Sequence, residues 1–398
     1  MRTLGRFATA ALSLAVCLQA LAVPALCAAE PLDHIRIVYN GPNEASASVA
    51  GQVLVRDQQG GVLLEDAVGV LWSLTADRIV EQTPVAQEFQ RLDARQLADA
   101  LRAEFGAGFQ IVTTPHYVIA AQTSRPFAEW TGDLFERLHA AFLKYWSDAG
   151  LAPAAGDAPL AVIIFSNRAR FIDYARQDAA AVISEAAGYY SARTNRVVLF
   201  DLTTEAGSGG GQGGSSRLQI TRRLAGATAL IATVVHEAVH QLAFNSGLQT
   251  RYADNPMWLS EGLAMHCETP DLGPRGGRGW TGIGAVSAYR LRQFRDPARQ
   301  RRATSKTWLT SLVQSEDRFR DPDEALAAYA ESWVLTHFLI ERRREAYVEY
   351  LRAIGQKPRL AFDSPEERLA EFRAAFGDDL DSLQTEVERH AMRLRPDR

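Results

Sequence analysis

Cysteine is scarce in this chain. Its 398 residues include three, and two of them, Cys17 and Cys27, fall within the first 30 positions. Removal of that leader would leave Cys267 alone, and one thiol cannot close an internal disulfide. A disulfide-stapled scaffold is therefore excluded for the rest of the chain. A lone cysteine in an oxidising compartment is expected to be buried. Surplus positive charge is missing too: 43 Lys and Arg stand against 47 Asp and Glu, a net −4. No face-wide basic excess is present, so nucleic acid is not an expected partner. The basic runs 299–306 and 342–344 are flanked by acidic or polar residues and read as solvated surface. A bilayer span needs about 20 apolar residues, and beyond the amino terminus no stretch qualifies. There is no internal repeat. The Gly/Ser-rich stretch 205–216 lacks a following Gly-Lys-Ser or Gly-Lys-Thr, so it is not a phosphate loop. It reads as a flexible surface insertion, with a flap over a cleft as the alternative.

Residues 1–29 read as a cleaved signal peptide. Arg2 and Arg6 precede an apolar stretch from Phe7 to Val23, and Ala28 and Ala29 supply small residues for cleavage. The expected location is periplasmic or secreted, with no membrane span in the mature chain. About 370 residues remain, room for two or three domains.

Residues 30–90 read as a small β-rich region. Gly51–Arg56 and Val62–Leu64 flank Gln59-Gly60-Gly61, a hairpin signal, and Val68–Leu74 reads as a third strand. A helix is expected at Ala94–Phe105, stopped by Gly106. Paired strands follow at Phe109–Thr113 and His116–Ala121. Phe127–Ser147 is an amphipathic helix with Trp130, Leu134, Leu138, Phe142 and Trp146 on one stripe and a structural His139 beside it. Leu160–Phe165 suits a buried strand. Gly188–Ala192 and Arg196–Asp201 flank a turn and read as another hairpin. The second half is helical, with helices expected at Val286–Arg295, Asp323–Arg342 and Tyr347–Ile354. Two more close the chain, the first opened by a capping box at Ser364. The division expected is 30–90, then a main domain over 91–355, then helices over 356–398.

The main domain is organised around Ala225–Gly247. Ile231, Val235, Ala238 and Leu242 form a helical apolar stripe. Within it lies His236-Glu237-Ala238-Val239-His240, the H-E-x-x-H pattern. His236 and His240 stand one turn apart on one face, so both imidazoles can bind one ion without bending the backbone. Glu237 lies about 100° round the helix, where it can reach a water on the metal but not easily act as a ligand. Zinc suits this set, because it takes imidazole nitrogen and carboxylate oxygen and keeps one position for water in a catalytic site. The third ligand expected is Glu261, in Trp258-Leu259-Ser260-Glu261-Gly262-Leu263-Ala264. It is a lone carboxylate among apolar neighbours, and such a group usually needs a buried partner.

HEAVH followed by WLSEGLA resembles the gluzincin branch of zinc metallopeptidases. The stretch is most similar to bacterial MA-type peptidase domains that pair these motifs with a later tyrosine-bearing helix. The resemblance implies an α+β zincin-like metallopeptidase fold, His236, His240 and Glu261 as zinc ligands, and Glu237 as general base. Hydrolysis of peptide or protein substrates through a zinc-activated water is the implied activity. Tyr329 looks like the tyrosine that donates a hydrogen bond to the oxyanion, on a helix whose buried face is expected to include Leu326, Ala330, Trp333 and Phe338. The hairpin 188–201 would supply a sheet edge that pairs with extended substrate. Two departures stand out. The Gly-x-Met-x-Asn segment of the aminopeptidases is absent, and Met265 occupies the place of a thermolysin-type Asp. Glu268 and Asp271 are both candidates to support a ligand histidine. Cys267 and His266 are not expected to be ligands; His266 reads as a supporting or surface residue. Two other readings are a catalytically silent zinc scaffold and a zinc amidase acting on cell-wall material.

Overall fold

The computed structural model describes residues 33–41, 45–178, 186–205, 216–224, 226–270, 280, 282–296 and 308–396. The leader 1–29, Asp271, the run 299–306 and most of the Gly/Ser stretch lie outside the described residues.

The chain begins with an antiparallel sheet. Strands β1 (His34–Asn40), β2 (Ser46–Arg56), β3 (Val62–Asp66), β4 (Leu71–Leu74) and β5 (Ile79–Pro84) run in the order β4-β3-β2-β1-β5. Alternation along β1 buries Ile35, Ile37 and Tyr39. They join Val49, Val53, Val62, Leu64 and Leu74 in a small apolar cluster of their own. The β2–β3 turn forms because the Asp57 carboxylate accepts from the amides of Gln59 and Gly61, both at 2.8 Å. The third expected strand starts at Leu71 rather than Val68. Asp66 accepts from the amides of Val68 and Val70, and that turn consumes the first residues of the run.

The second sheet is mixed. Its strands β6 (Gln110–Thr113), β7 (Tyr117–Ala121), β8 (Leu160–Phe165), β9 (Gly188–Ser191) and β10 (Arg196–Phe200) run in the order β6-β7-β8-β10-β9. The inner pairs β7–β8 and β8–β10 are parallel, and the outer pairs are antiparallel. Every residue of β8 is buried, which explains its unbroken apolar run. Helices α1 (Ala94–Phe105) and α2 (Arg125–Asp148) pack beside β6 and β7, and α3 (Arg168–Asp178) packs beside β8 and β10. Between β9 and β10, Asn195 takes a positive φ of 58°, a conformation asparagine tolerates well.

Helices fill the second half. They are α4 (Arg217–Leu224), α5 (Thr228–Asn245), α6 (Met257–Cys267), α7 (Ala288–Phe294), α8 (Trp308–Gln314), α9 (Asp317–Arg320), α10 (Ala325–Arg342), α11 (Arg344–Gly355), α12 (Pro365–Phe376) and α13 (Leu380–Arg393). Of these, α4, α8 and α9 are additions to the helices expected from sequence. α5 is capped at Ser246, and the following Gly247, with a φ of 80°, lets the chain leave the helix. Apolar side chains from Leu97 to Ala391 form one continuous core, so the last helices share it with the second sheet. The architecture is mixed α+β.

Two contacts brace the elements around the centre of the molecule. Gly262 lets α6 approach α10 closely: a Cβ there would lie 2.1 Å from Thr336 Oγ1 and 2.9 Å from the Ser332 carbonyl. The first sheet is tied to the β9–β10 hairpin by the Leu71 amide, which donates to the Arg193 carbonyl at 2.7 Å. Buried Glu65 accepts from both Arg91 and Arg251, and Arg251 also donates to the carbonyls of Gly69 and Ala192.

Candidate metal centre

α5 is apolar on the side that meets the sheet and α6. Ile231, Val234, Val235, Ala238, Val239 and Leu242 are buried there. One buried polar residue pins its position. Gln241 directly follows the motif and is fully buried. It donates to the Ala161 carbonyl of β8 at 3.0 Å and to the Asn195 carbonyl at 2.8 Å. A glutamine on the buried stripe of an apolar helix is the sequence signal for such an anchor.

The anchored helix brings its two histidines together. His236 Nε2 and His240 Nε2 are 3.1 Å apart. α6 delivers Glu261, whose Oε2 lies 3.0 Å from His236 Nε2 and whose Oε1 lies 3.7 Å from His240 Nε2. One atom from each residue falls within 4.8 Å of the others, so the three can hold a metal ion. Two imidazole nitrogens and a carboxylate oxygen converging on one point suit a borderline divalent cation. The donor set therefore fits the expected metal.

Of the two candidates to support His236, Glu268 is placed against it; Asp271 lies outside the described residues. Glu268 Oε2 sits 3.1 Å from His236 Nδ1, which leaves Nε2 for an ion. Glu268 is itself held by Arg290, whose Nε and Nη2 donate to its two oxygens at 3.1 and 3.2 Å. The sequence does contain a signal for Glu268. It follows Glu261 by seven residues, two helical turns, so the two carboxylates share a face of α6 and its C-cap. Arg290 carries no such signal.

The ligand set is strongly polarised. Burial works against charge on His236, but hydrogen bonds to Glu261 and Glu268 overcome it and hold the imidazolium up at about 10. Burial lowers His240 to about 4, so it stays neutral. Burial opposes charge on Glu261 and Glu268, yet their bonds to His236 keep both below the usual carboxylate range. Burial pushes Glu237 up to about 7. Its Oε2 accepts from the Tyr190 amide at 2.8 Å, which fixes the carboxylate against edge strand β9.

These groups line a cleft of about 970 Å³. One wall comes from β9 and α5, with Tyr190 and Phe244 stacked at 5.5 Å. Another comes from α7 and α10 and includes Tyr329. Burial, followed by the negative charges of Glu261 and Glu237, pushes the Tyr329 phenol up, so it keeps its proton. Leu326 departs from expectation. It lies at the start of α10 on the cleft rim and is 59% exposed, outside that helix's buried face.

The remaining histidines lie elsewhere. His266 is buried, not at the surface, and its Nε2 meets the Tyr145 hydroxyl at 2.9 Å. Cys267 is buried and free. His139 is buried and stacks on His116 at 4.0 Å. His337 pairs with His390 at 3.0 Å.

Residues 230–361 match a family model described as a protein of unknown function (DUF1570). The matched segment contains the HEAVH motif, Glu261, Glu268, Arg290 and Tyr329. No curated protein matches the chain.

Proposed function

We propose that this chain is an exported zinc metallopeptidase of the gluzincin kind, on a zincin-like fold, acting on peptide or protein substrates. One observation carries the reading. His236, His240 and Glu261 turn three ligand atoms to one point, within 4.8 Å of one another, beside a buried Glu237 in an open cleft. The signal-like leader supports export.

Zinc held by His236, His240 and Glu261 would supply a Lewis acid able to lower the pKa of water and polarise a carbonyl. The chain's own residues do the rest. Glu237 is the general base, held by the Tyr190 amide and near neutrality before metal arrives. It takes a proton from the water that attacks the carbonyl and returns it to the amine nitrogen as the C–N bond breaks. Tyr329, still protonated, donates a hydrogen bond to the developing oxyanion. Glu268 and Arg290 fix the ring of His236. The outer edge of β9, which meets the cleft at Tyr190 and there holds Glu237, lies alongside extended substrate backbone.

A silent zinc scaffold has no use for a carboxylate held against the cleft beside the ligands, so the position of Glu237 favours hydrolysis. The test compares wild type with Glu237→Gln on a peptide library, with metal analysis of both. The variant should keep its zinc and lose turnover by about 100-fold or more. Undiminished cleavage by the variant would refute the role of Glu237. Cleavage of cell-wall amides but no peptides would replace the peptidase reading with the amidase one.

A further inference from the structure

The wall formed by α7 and the start of α10 carries features the catalytic reading does not use. α7 buries Leu291 and Phe294 and turns Tyr289 and Arg292 into the cleft. These two are three residues apart, hence neighbours on one face with Cβ atoms about 5–6 Å apart. Tyr289 is 52% exposed, and Leu326, on the same cleft, is also a large apolar side chain left in solvent. Few large apolar side chains are exposed among the described residues, so two on one rim mark a contact surface. Arg292 makes no ion pair among the described residues, whereas its neighbour Arg290 is committed to Glu268. Arg290 also lies against both tyrosine rings, 5.4 Å from the centre of Tyr289 and 5.9 Å from that of Tyr329. The ridge is thereby fixed to the group that orients His236.

We propose that Leu326, Tyr289 and Arg292 form a side-chain recognition ridge that selects peptides with a bulky apolar residue and an acidic residue two positions apart. This rests on the peptidase reading, which supplies an extended occupant. In an extended chain, residues i and i+2 point the same way and lie about 6.5–7 Å apart. That spacing fits an apolar side chain on Leu326 and Tyr289 and a carboxylate on Arg292. Charge complementarity sets the partner: the guanidinium lines the cleft and has no counter-ion among the described residues.

The probe is a set of short fluorescent peptides of Gly, Ser and Ala. They carry Leu-Ala-Asp, Asp-Ala-Leu, Leu-Ala-Lys, Lys-Ala-Leu, Ser-Ala-Asp or Asp-Ala-Ser at the centre. Binding is read by anisotropy on full-length, zinc-loaded Glu237→Gln protein. The better Leu/Asp order should bind about ten-fold tighter than its Leu/Lys counterpart at low salt, with the gap closing near 0.5 M salt. Adding Arg292→Glu should invert that preference, and adding Leu326→Ser should cut the advantage of Leu over Ser to about two-fold or less. Both sites are exposed, so zinc content and melting should hold. The same ranking in parent and variants, or no binding of any peptide at about 1 mM, overturns the ridge. Wild-type cleavage separates the two claims. Cleavage with an unaltered ranking removes the ridge and keeps the peptidase; ranked binding without cleavage keeps the ridge and removes the peptidase.

Discussion

Without metal, His236 should remain an imidazolium far above the usual range, and alkaline pH is the perturbation that exposes this. Burial alone would discharge the ring, but Glu261 at 3.0 Å and Glu268 at 3.1 Å hold its proton to about pH 10. A histidine in the unfolded chain titrates near 6.5. A folded pKa above the unfolded one gives stability that is complete below about pH 6.5 and lost as pH rises through about 10. At 1.36 kcal/mol per pH unit the whole loss is about 5 kcal/mol as an upper bound. Glu237, pushed to about 7, has finished its own change by pH 8. Above that, burial keeps the Cys267 thiol protonated in both forms, so the difference between metal-free and zinc-loaded protein is what reports His236. Between pH 8 and 10 the metal-free protein should lose about 2 kcal/mol more than the zinc-loaded protein, in which the ring is already neutral. Denaturant unfolding of both forms across that window measures the difference. Ring NMR of metal-free protein measures the midpoint directly, and Glu268→Gln should lower it by about one pH unit or more. Parallel stability curves, or a midpoint below about pH 8, would refute the reasoning.

Three further outcomes are expected. Tyr329→Phe keeps the ring and removes one donor, so turnover should fall about ten- to a thousand-fold while zinc content and melting stay level; steady-state kinetics beside elemental analysis decide it. Arg290→Met takes away the cation that holds Glu268, and chelator competition should show zinc affinity about 10- to 100-fold weaker. Intact-mass measurement of the exported protein should find a start between Ala25 and Glu30; a start at Met1 would favour an uncleaved anchor.

Much of the scaffold is legible in the sequence because its segments follow single periods. Apolar spacing and Gly106 place α1 to the residue, and six buried apolar residues between Pro159 and Ser166 place β8. The three candidate ligands are legible for the same reason. His236 and His240 are fixed relative to each other by one helical turn, and Glu261 stands out as charge in an apolar setting. The features that escape depend on tertiary context. α4 is only eight residues long and carries Arg217, Arg222 and Arg223, so its one buried pair, Ile220 and Leu224, is too short a pattern to read. Leu326 fits the buried stripe of α10 by spacing, yet the cleft opens over the first turn of that helix and leaves it in solvent.

Arg290 is illegible for a different reason. It stands in a short helix with Arg292 nearby, and nothing local distinguishes the two. The fold gives them different roles: Arg290 reaches Glu268, while Arg292 is left facing the cleft. The distinction lies in the partner. Glu268 is buried and already shares a proton with His236, so it draws the nearest guanidinium inward. With Arg290 removed, that carboxylate would keep only His236 among its described side-chain partners, and it would lose even the imidazolium charge when a metal arrives. The same arginine therefore matters more to the loaded site than to the empty one. Arg290→Met should accordingly weaken zinc binding more than it lowers the stability of the metal-free protein, and comparing the two losses distinguishes a tuned metal centre from a merely structural ion pair.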